Sequence, residues 1–202
     1  MKKFLAIAGN IGAGKTSLTQ FLCSRYEFDP VYEPFATNPY LDDFYADMKS
    51  WAFHSQLYFL THKFRLHLEL SDKGGAFVMD RTIYEDAEIF ATNLHRGRFI
   101  NKRDYGTYME LYDSMRAALQ PPDLLIYLQC DVRGIKKRIK KRGRPSEQKI
   151  PTRYIRRLND LYEEWIAGYT ASPVLVWEGG RLDYLTNLVD QVEFRREIER
   201  FL

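Results

Sequence analysis

Cysteine is nearly absent from this chain: Cys23 and Cys130 are the only two among 202 residues. They fall in a predicted helix and at a predicted strand end, which suits a reducing compartment and excludes a disulfide scaffold or a cysteine zinc site. No stretch approaches the ~18 consecutive apolar residues that a membrane-spanning helix needs. Met1-Lys2-Lys3-Phe4-Leu5-Ala6-Ile7-Ala8 is basic and then apolar, but it is too short for a secretory leader and runs straight into a glycine loop. It therefore reads as a first strand. A cytoplasmic setting without a membrane partner is the expectation. Internal repeats, low-complexity tracts and linkers are also lacking, so residues 1–202 are expected to form one domain. The net charge is only +3, and 45% apolar with 28% charged residues is an ordinary globular balance.

The stretch Gly9-Asn10-Ile11-Gly12-Ala13-Gly14-Lys15-Thr16 follows the apolar run Phe4–Ala8 and precedes a helical pattern beginning at Lys15-Thr16-Ser17. It is a G-x4-G-K-[ST] phosphate loop in the strand–loop–helix context that such a loop requires. Its glycines let backbone N–H groups turn toward a di- or triphosphate beside a helix N-terminus. Lys15 can reach β- and γ-phosphates, and the Thr16 hydroxyl can bind Mg²⁺. A nucleoside triphosphate, ATP with Mg²⁺, is the expected ligand.

Downstream, short apolar runs alternate with helical periodicity. Strands are predicted at Phe28–Glu33, Ala76–Asp80, Leu124–Leu128 and Val174–Trp177. Helices are predicted at Tyr40–Met48, Trp51–Leu70, Thr82–Leu94, Lys102–Leu119, Arg133–Lys141, Pro151–Tyr169 and Asp183–Phe201. In the long second helix Leu57, Leu60, Phe64 and Leu68 form the apparent apolar side. Five strands alternating with helices predict an α/β fold with a parallel sheet covered on both faces. Ligands of such sheets bind beyond the strands' carboxyl ends, where the phosphate loop, Glu33 and Asp80-Arg81 all fall.

Glu33 is a candidate general base for an incoming hydroxyl or a holder of the magnesium shell. Asp80 ends an apolar strand as a magnesium-holding acid would, and Arg81 beside it could neutralise phosphate charge; a structural Asp–Arg ion pair is the alternative. From Arg133 to Arg157 there are twelve Lys/Arg against one acid, Glu147. No aromatic interrupts this run before Tyr154, so a single-strand stacking platform is poorly supported and no nucleic-acid partner is expected. Arg138, Arg142 and Arg144 around Gly143 look instead like a lid, over about 138–150, closing on ATP. Leu41, Tyr45 and Phe90 sit at helical spacing with other apolar residues and on that ground alone read as core.

The phosphate loop, Glu33-Pro34, Tyr45, Trp51, Gln56, Asp80-Arg81-Thr82 and Arg142-Gly143-Arg144 with Glu147 occur in one order. The ordered set, from about Lys3 to Asp183, resembles the deoxycytidine/deoxyguanosine/deoxyadenosine kinase family, and is most similar to its bacterial purine-preferring members. The resemblance implies a P-loop kinase that phosphorylates the 5′-hydroxyl of a deoxynucleoside. It implies that Glu33 is the general base with Arg81 beside it, that Tyr45 and Glu147 hold the sugar 3′-hydroxyl, and that Gln56 bonds the base edge. Phe90 would stack on the base, Leu41 would line the pocket, and Asp183-Tyr184 would contact the adenine of ATP. The family is usually dimeric through helices beside the sheet, so a homodimer is expected.

Lys63 stands seven residues beyond Gln56, where several relatives have arginine paired with an aspartate matching Asp86. Lysine cannot reproduce the bidentate arginine fork. Asp86 as an acceptor suits an exocyclic amine, which ranks deoxyadenosine first, then deoxyguanosine and deoxycytidine. The nearest rivals are a thymidylate-type monophosphate kinase, against which Glu33-Pro34 counts, and a catalytically silent nucleotide-binding scaffold.

Overall fold

A computed structural model describes residues 3–32, 37–178 and 187–201. Three apolar runs, β1 (Lys3–Ala8), β3 (Ala76–Asp80) and β4 (Leu124–Gln129), are buried along nearly their whole length, as strands covered on both faces must be. With β2 (Asp29–Val31) and β5 (Val174–Glu178) they form one sheet in the order β2-β3-β1-β4-β5, every pair parallel. β2 is shorter than its apolar pattern suggests and lies at the sheet's edge, where Pro30, lacking an N–H, is tolerated. The register sets Ile7 beside Asp80, Val31 beside Met79 and Ala8 beside Tyr127, so four strands end at one rim.

The helices are α1 (Lys15–Tyr26), α2 (Leu41–Ala46), α3 (Met48–Lys73), α4 (Ile83–Glu85), α5 (Thr92–Arg96), α6 (Lys102–Ala117), α7 (Val132–Arg142), α8 (Pro145–Gln148), α9 (Thr152–Gly168) and α10 (Leu188–Ile198). α9 follows its period closely, burying Tyr154, Ile155, Leu158, Leu161, Tyr162 and Trp165 on one face. The basic turn after α7 contains the short helix α8, which begins with Pro145. The last helix starts at Leu188, capped by Asn187, which accepts from the Val189 N–H. Among the described residues no helix is long and apolar enough to cross a membrane.

Two elements depart from their periodicity. The single helix expected over Thr82–Leu94 is divided by a π-helical segment, Asp86–Ala91, in which the Thr92 N–H reaches back to the Ala87 carbonyl. The wider turn buries Asp86, Ala87, Ile89, Phe90 and Ala91, five of its six residues. In α3 only Leu60 of the expected apolar side is buried. Ala52, Ser55, Gln56, Phe59, Leu60, Lys63 and His67 are buried, whereas Leu57, Phe64 and Leu68 are half-exposed. Apolar spacing misreads this helix because its inner face carries polar side chains.

Candidate active site

The loop from Gly9 to Gly14 leaves β1 and feeds α1. Gly9 has φ 153, and a Cβ there would stand 3.1 Å from the Leu128 carbonyl oxygen and 3.2 Å from Ala13 Cβ. Only glycine meets both constraints. α1 has no side-chain cap at Gly14 and no acidic residue in its first turn, so no carboxylate there opposes an anion at its N-terminus. Lys15 folds back over the loop, donating to the Gly9 carbonyl at 2.9 Å and the Asn10 carbonyl at 3.1 Å. The Asn10 side chain bonds the Ile155 carbonyl and Asn159 Oδ1, both at 3.1 Å. It ties the loop to α9, leaving Asn10 to serve a phosphate through its backbone alone. Ile11 and Ala13 are buried beneath the loop, and Gly12 and Ser17 are half-buried.

Thr16 Oγ1 donates to Asp80 Oδ2 at 2.6 Å, joining the first turn of α1 to the end of β3. The other Asp80 oxygen is buried and has no hydrogen-bond partner among the described residues. A hydroxyl and a carboxylate with a spare buried oxygen fit Mg²⁺, which takes one or two carboxylates together with substrate phosphates. Among the described residues no cluster of three His, Cys, Asp or Glu side chains forms a self-contained metal cage.

Arg81, the next residue, has a left-handed backbone at φ 68, uncommon for a residue with a side chain. Its N–H donates to the Ile7 carbonyl at 3.1 Å, and its guanidinium donates to the Gly9 carbonyl at 3.2 Å. The guanidinium also lies 4.4 Å from the centre of the Phe90 ring. One face of the ring expected to stack on a base thus carries the arginine. Glu85, which did not stand out in the sequence, lies directly beneath. It accepts from the N–H of Gly9 at 3.2 Å, from that of Thr82 at 3.1 Å and from the Tyr162 hydroxyl at 2.8 Å. Burial raises its carboxyl pKa, opposed mainly by Arg81 and Lys15. The one local signal for Glu85 is Thr82-x-x-Glu85, a capping box.

A second polar group lies between α3 and the π segment. Lys63 Nζ stands 2.7 Å from Asp86 Oδ1 and 5.4 Å from the centre of the Phe59 ring, with both charged side chains fully enclosed. One turn pair earlier on α3, the Gln56 carboxamide oxygen is buried without a hydrogen-bond partner among the described residues. A bound ligand can satisfy such an atom. Tyr108 from α6 is buried nearby, its hydroxyl pKa raised by burial and then by Asp86. Leu41 is buried and Tyr45 half-buried on α2, which packs against α8. That contact brings the helices of Tyr45 and Glu147 together.

Glu147 is buried and receives Arg142 through one oxygen and Arg144, at 3.3 Å, through the other. Gly143 between the two arginines has φ 72 and ends α7. Arg138 donates to the Ala13 carbonyl at 2.6 Å, linking α7 to the phosphate loop. Glu33, Asp183 and Tyr184 lie outside the described residues.

A phosphate loop on the central strand of a parallel sheet, an acid ending the next strand and an arginine segment above them define a P-loop kinase. A sequence profile of the deoxynucleoside kinases matches residues 5–202. The chain is 39% identical over 199 residues to the deoxyadenosine/deoxycytidine kinase of Bacillus subtilis, covering 93% of this chain and 90% of that protein. It is 36% identical to the deoxyadenosine kinase of Lactobacillus acidophilus, covering 100% of this chain and 97% of the relative. The solved structure of deoxyadenosine kinase from M. mycoides with bound dATP superimposes with a TM-score of 0.86 at 29% identity, over 98% of this chain and 99% of that one. This chain belongs to the deoxynucleoside kinase family: it is a kinase that transfers phosphate to a nucleoside.

Proposed function

We propose that this kinase transfers the γ-phosphoryl group of ATP to the 5′-hydroxyl of deoxyadenosine, with deoxyguanosine and deoxycytidine as poorer acceptors. The observation that carries the base assignment is the enclosed Lys63–Asp86 pair at 2.7 Å beside the unsatisfied Gln56 oxygen. Asp86 and Gln56 Oε1 offer acceptors to an exocyclic amine, and the Lys63 ammonium or the Gln56 amide offers a donor to a ring nitrogen. Adenine presents both groups side by side. Thymine has only its N3–H to donate, between two carbonyl acceptors, which matches this donor–acceptor set poorly. Relatives from B. subtilis and L. acidophilus are named for deoxyadenosine, deoxycytidine and deoxyguanosine, which supports these three acceptors without ranking them.

In this reading Glu33 takes the proton of the 5′-hydroxyl as that oxygen attacks the γ-phosphorus in line, giving ADP and the deoxynucleoside monophosphate. Lys15, Arg81 and the lid residues Arg138, Arg142 and Arg144 balance the charge that develops on the transferred group. Tyr45 and Glu147 orient the sugar through its 3′-hydroxyl, Leu41 and Phe90 line the base pocket, and Asp183-Tyr184 meets the adenine of ATP. Thr16 and Asp80, with Glu33, would hold Mg²⁺, which supplies charge neutralisation on the phosphates when bound. Catalysis of this kind rests on positioning and electrostatics and needs no covalent intermediate.

The enzyme is further proposed to act as a cytoplasmic homodimer in which α3 supplies part of the interface. Leu57, Phe64 and Leu68 are half-exposed on the helix face turned away from the site, which is where a second copy would cover them.

Nucleoside-dependent ADP formation tests the assignment, with deoxyadenosine, deoxyguanosine, deoxycytidine, thymidine and thymidylate as acceptors and Glu33→Gln as control. The highest kcat/KM with deoxyadenosine, collapsing in the control, is expected. A clear preference for thymidine or thymidylate would refute the assignment.

A further inference from the structure

Glu85 connects its own β3–α4 turn, through Thr82, to two elements distant in sequence: the phosphate loop through Gly9 and α9 through Tyr162. Its side chain is wholly enclosed, and its Oε1 lies 3.7 Å from Arg81 Nε. A capping box explains only the Thr82 contact. Glutamine serves that purpose as well as glutamate, so the cap requires neither a charge nor burial. Burying a carboxylate is costly unless cations and donors compensate it. Here the compensating cations are Arg81 and Lys15, the two on which phosphoryl transfer depends.

Arg81 itself needs an explanation. A left-handed backbone on a residue with a side chain is strained and persists only where its surroundings over-determine it. The Ile7 carbonyl holds its N–H, the Gly9 carbonyl and the Phe90 ring hold one end of its guanidinium, and Glu85 lies against its Nε. We propose that Glu85 is a positioning residue for phosphoryl transfer, whose negative charge fixes the Arg81 guanidinium and the Gly9 amide together. Loop and arginine are thereby set in one arrangement before the substrates arrive. Glu85 acts through these groups and touches no substrate. The proposal rests on Arg81 acting on the transferred phosphoryl group, as set out above.

Steady-state kinetics of Glu85→Gln, Arg81→Met, the double variant and Tyr162→Phe separate this role from a structural one. Glutamine keeps the cap and the shape but removes the charge. Its kcat should fall about 10- to 100-fold while KM for ATP and for deoxyadenosine each stay within about threefold. Arg81→Met should lose more, and adding Glu85→Gln to it should cost about nothing further, because the charge then has no arginine to place. Tyr162→Phe, which leaves the carboxylate on Arg81 and Gly9, should stay within about threefold of the parent in kcat. A Glu85→Gln enzyme with unchanged kcat, or a loss that multiplies with that of Arg81→Met, would overturn the proposal alone. Near-normal turnover by Arg81→Met would show that the reading of Arg81 is wrong, and the proposal would fall with it. Should Glu85→Gln not fold by circular dichroism, Glu85→Asp, which keeps the charge but withdraws it from Arg81, enters the same cycle under the same criteria.

Discussion

The Lys63–Asp86 pair makes the proposed base pocket testable without any substrate. Its side chains are 1% and 3% exposed and meet at 2.7 Å, so solvent screens the interaction little. Taking away one partner of a buried ion pair costs about 3–5 kcal/mol, whereas replacing both with apolar residues of similar volume is often close to neutral. Unfolding entropy near ~2.1 cal/mol/K per residue, over 202 residues, gives ~0.4 kcal/mol/K, so each single substitution should lower Tm by about 7–12 °C. Differential scanning calorimetry of Lys63→Met, Asp86→Leu and the double variant measures this directly. The double variant should regain most of the loss in Tm. Its kcat/KM for deoxyadenosine should nevertheless stay about 10- to 100-fold down, the factor expected for lost hydrogen bonds to charged groups. Single variants that shift Tm by less than about 2 °C, or a double variant that loses the sum of both, would show that the two charges do not stabilise each other. A double variant with full activity would remove the pair from base recognition.

Two further outcomes follow from buried groups. Burial depresses the His67 pKa from 6.5 to about 4, with its ring set against Phe4 at 4.7 Å between centroids. A depressed folded-state pKa contributes stability that is present above pH 6.5 and lost as pH falls toward 4, about 3 kcal/mol in all. Urea titrations at both ends of that window should show the parent losing this much more than His67→Phe, and parallel pH dependence in the two proteins would refute the assignment. Glu147→Gln removes the charge that pairs with Arg142 and Arg144. It should reduce kcat/KM for deoxyadenosine about 10- to 100-fold and affect 2′,3′-dideoxyadenosine, which lacks the 3′-hydroxyl, far less. Equal losses with both nucleosides would argue that Glu147 serves the lid alone.

Local chemistry determined much of this protein in advance. Phosphate-loop glycines are needed for backbone conformations that Gly9 and Gly12 in fact adopt. Buried strands of a parallel sheet must be short apolar runs, so five strands and their alternation with helices were legible, as was Asp80 at a strand end beside the loop. Those features depend on neighbours within a few residues. What depends on distant neighbours was not legible. The apolar stripe of α3 pointed to Leu57, Leu60, Phe64 and Leu68, but of these the fold buries only Leu60, together with Gln56, Lys63 and His67, because that face meets the π segment and, through Phe4, the sheet. Periodicity assumes an apolar interior, and a helix lining a binding site violates that assumption. The π turn over Asp86–Ala91 similarly leaves no mark in residue spacing. Asn10 sits inside the phosphate motif, yet its side chain belongs to α9. Glu85, which did not stand out in the sequence, becomes an enclosed hub only when Gly9 and Tyr162, 76 and 77 residues away, close over it. The sequence alone determined which strands, which loop and which chemistry. Only tertiary structure decided which charged side chains would be taken out of water and which partners would hold them there, because burial and pairing are properties of the assembled chain.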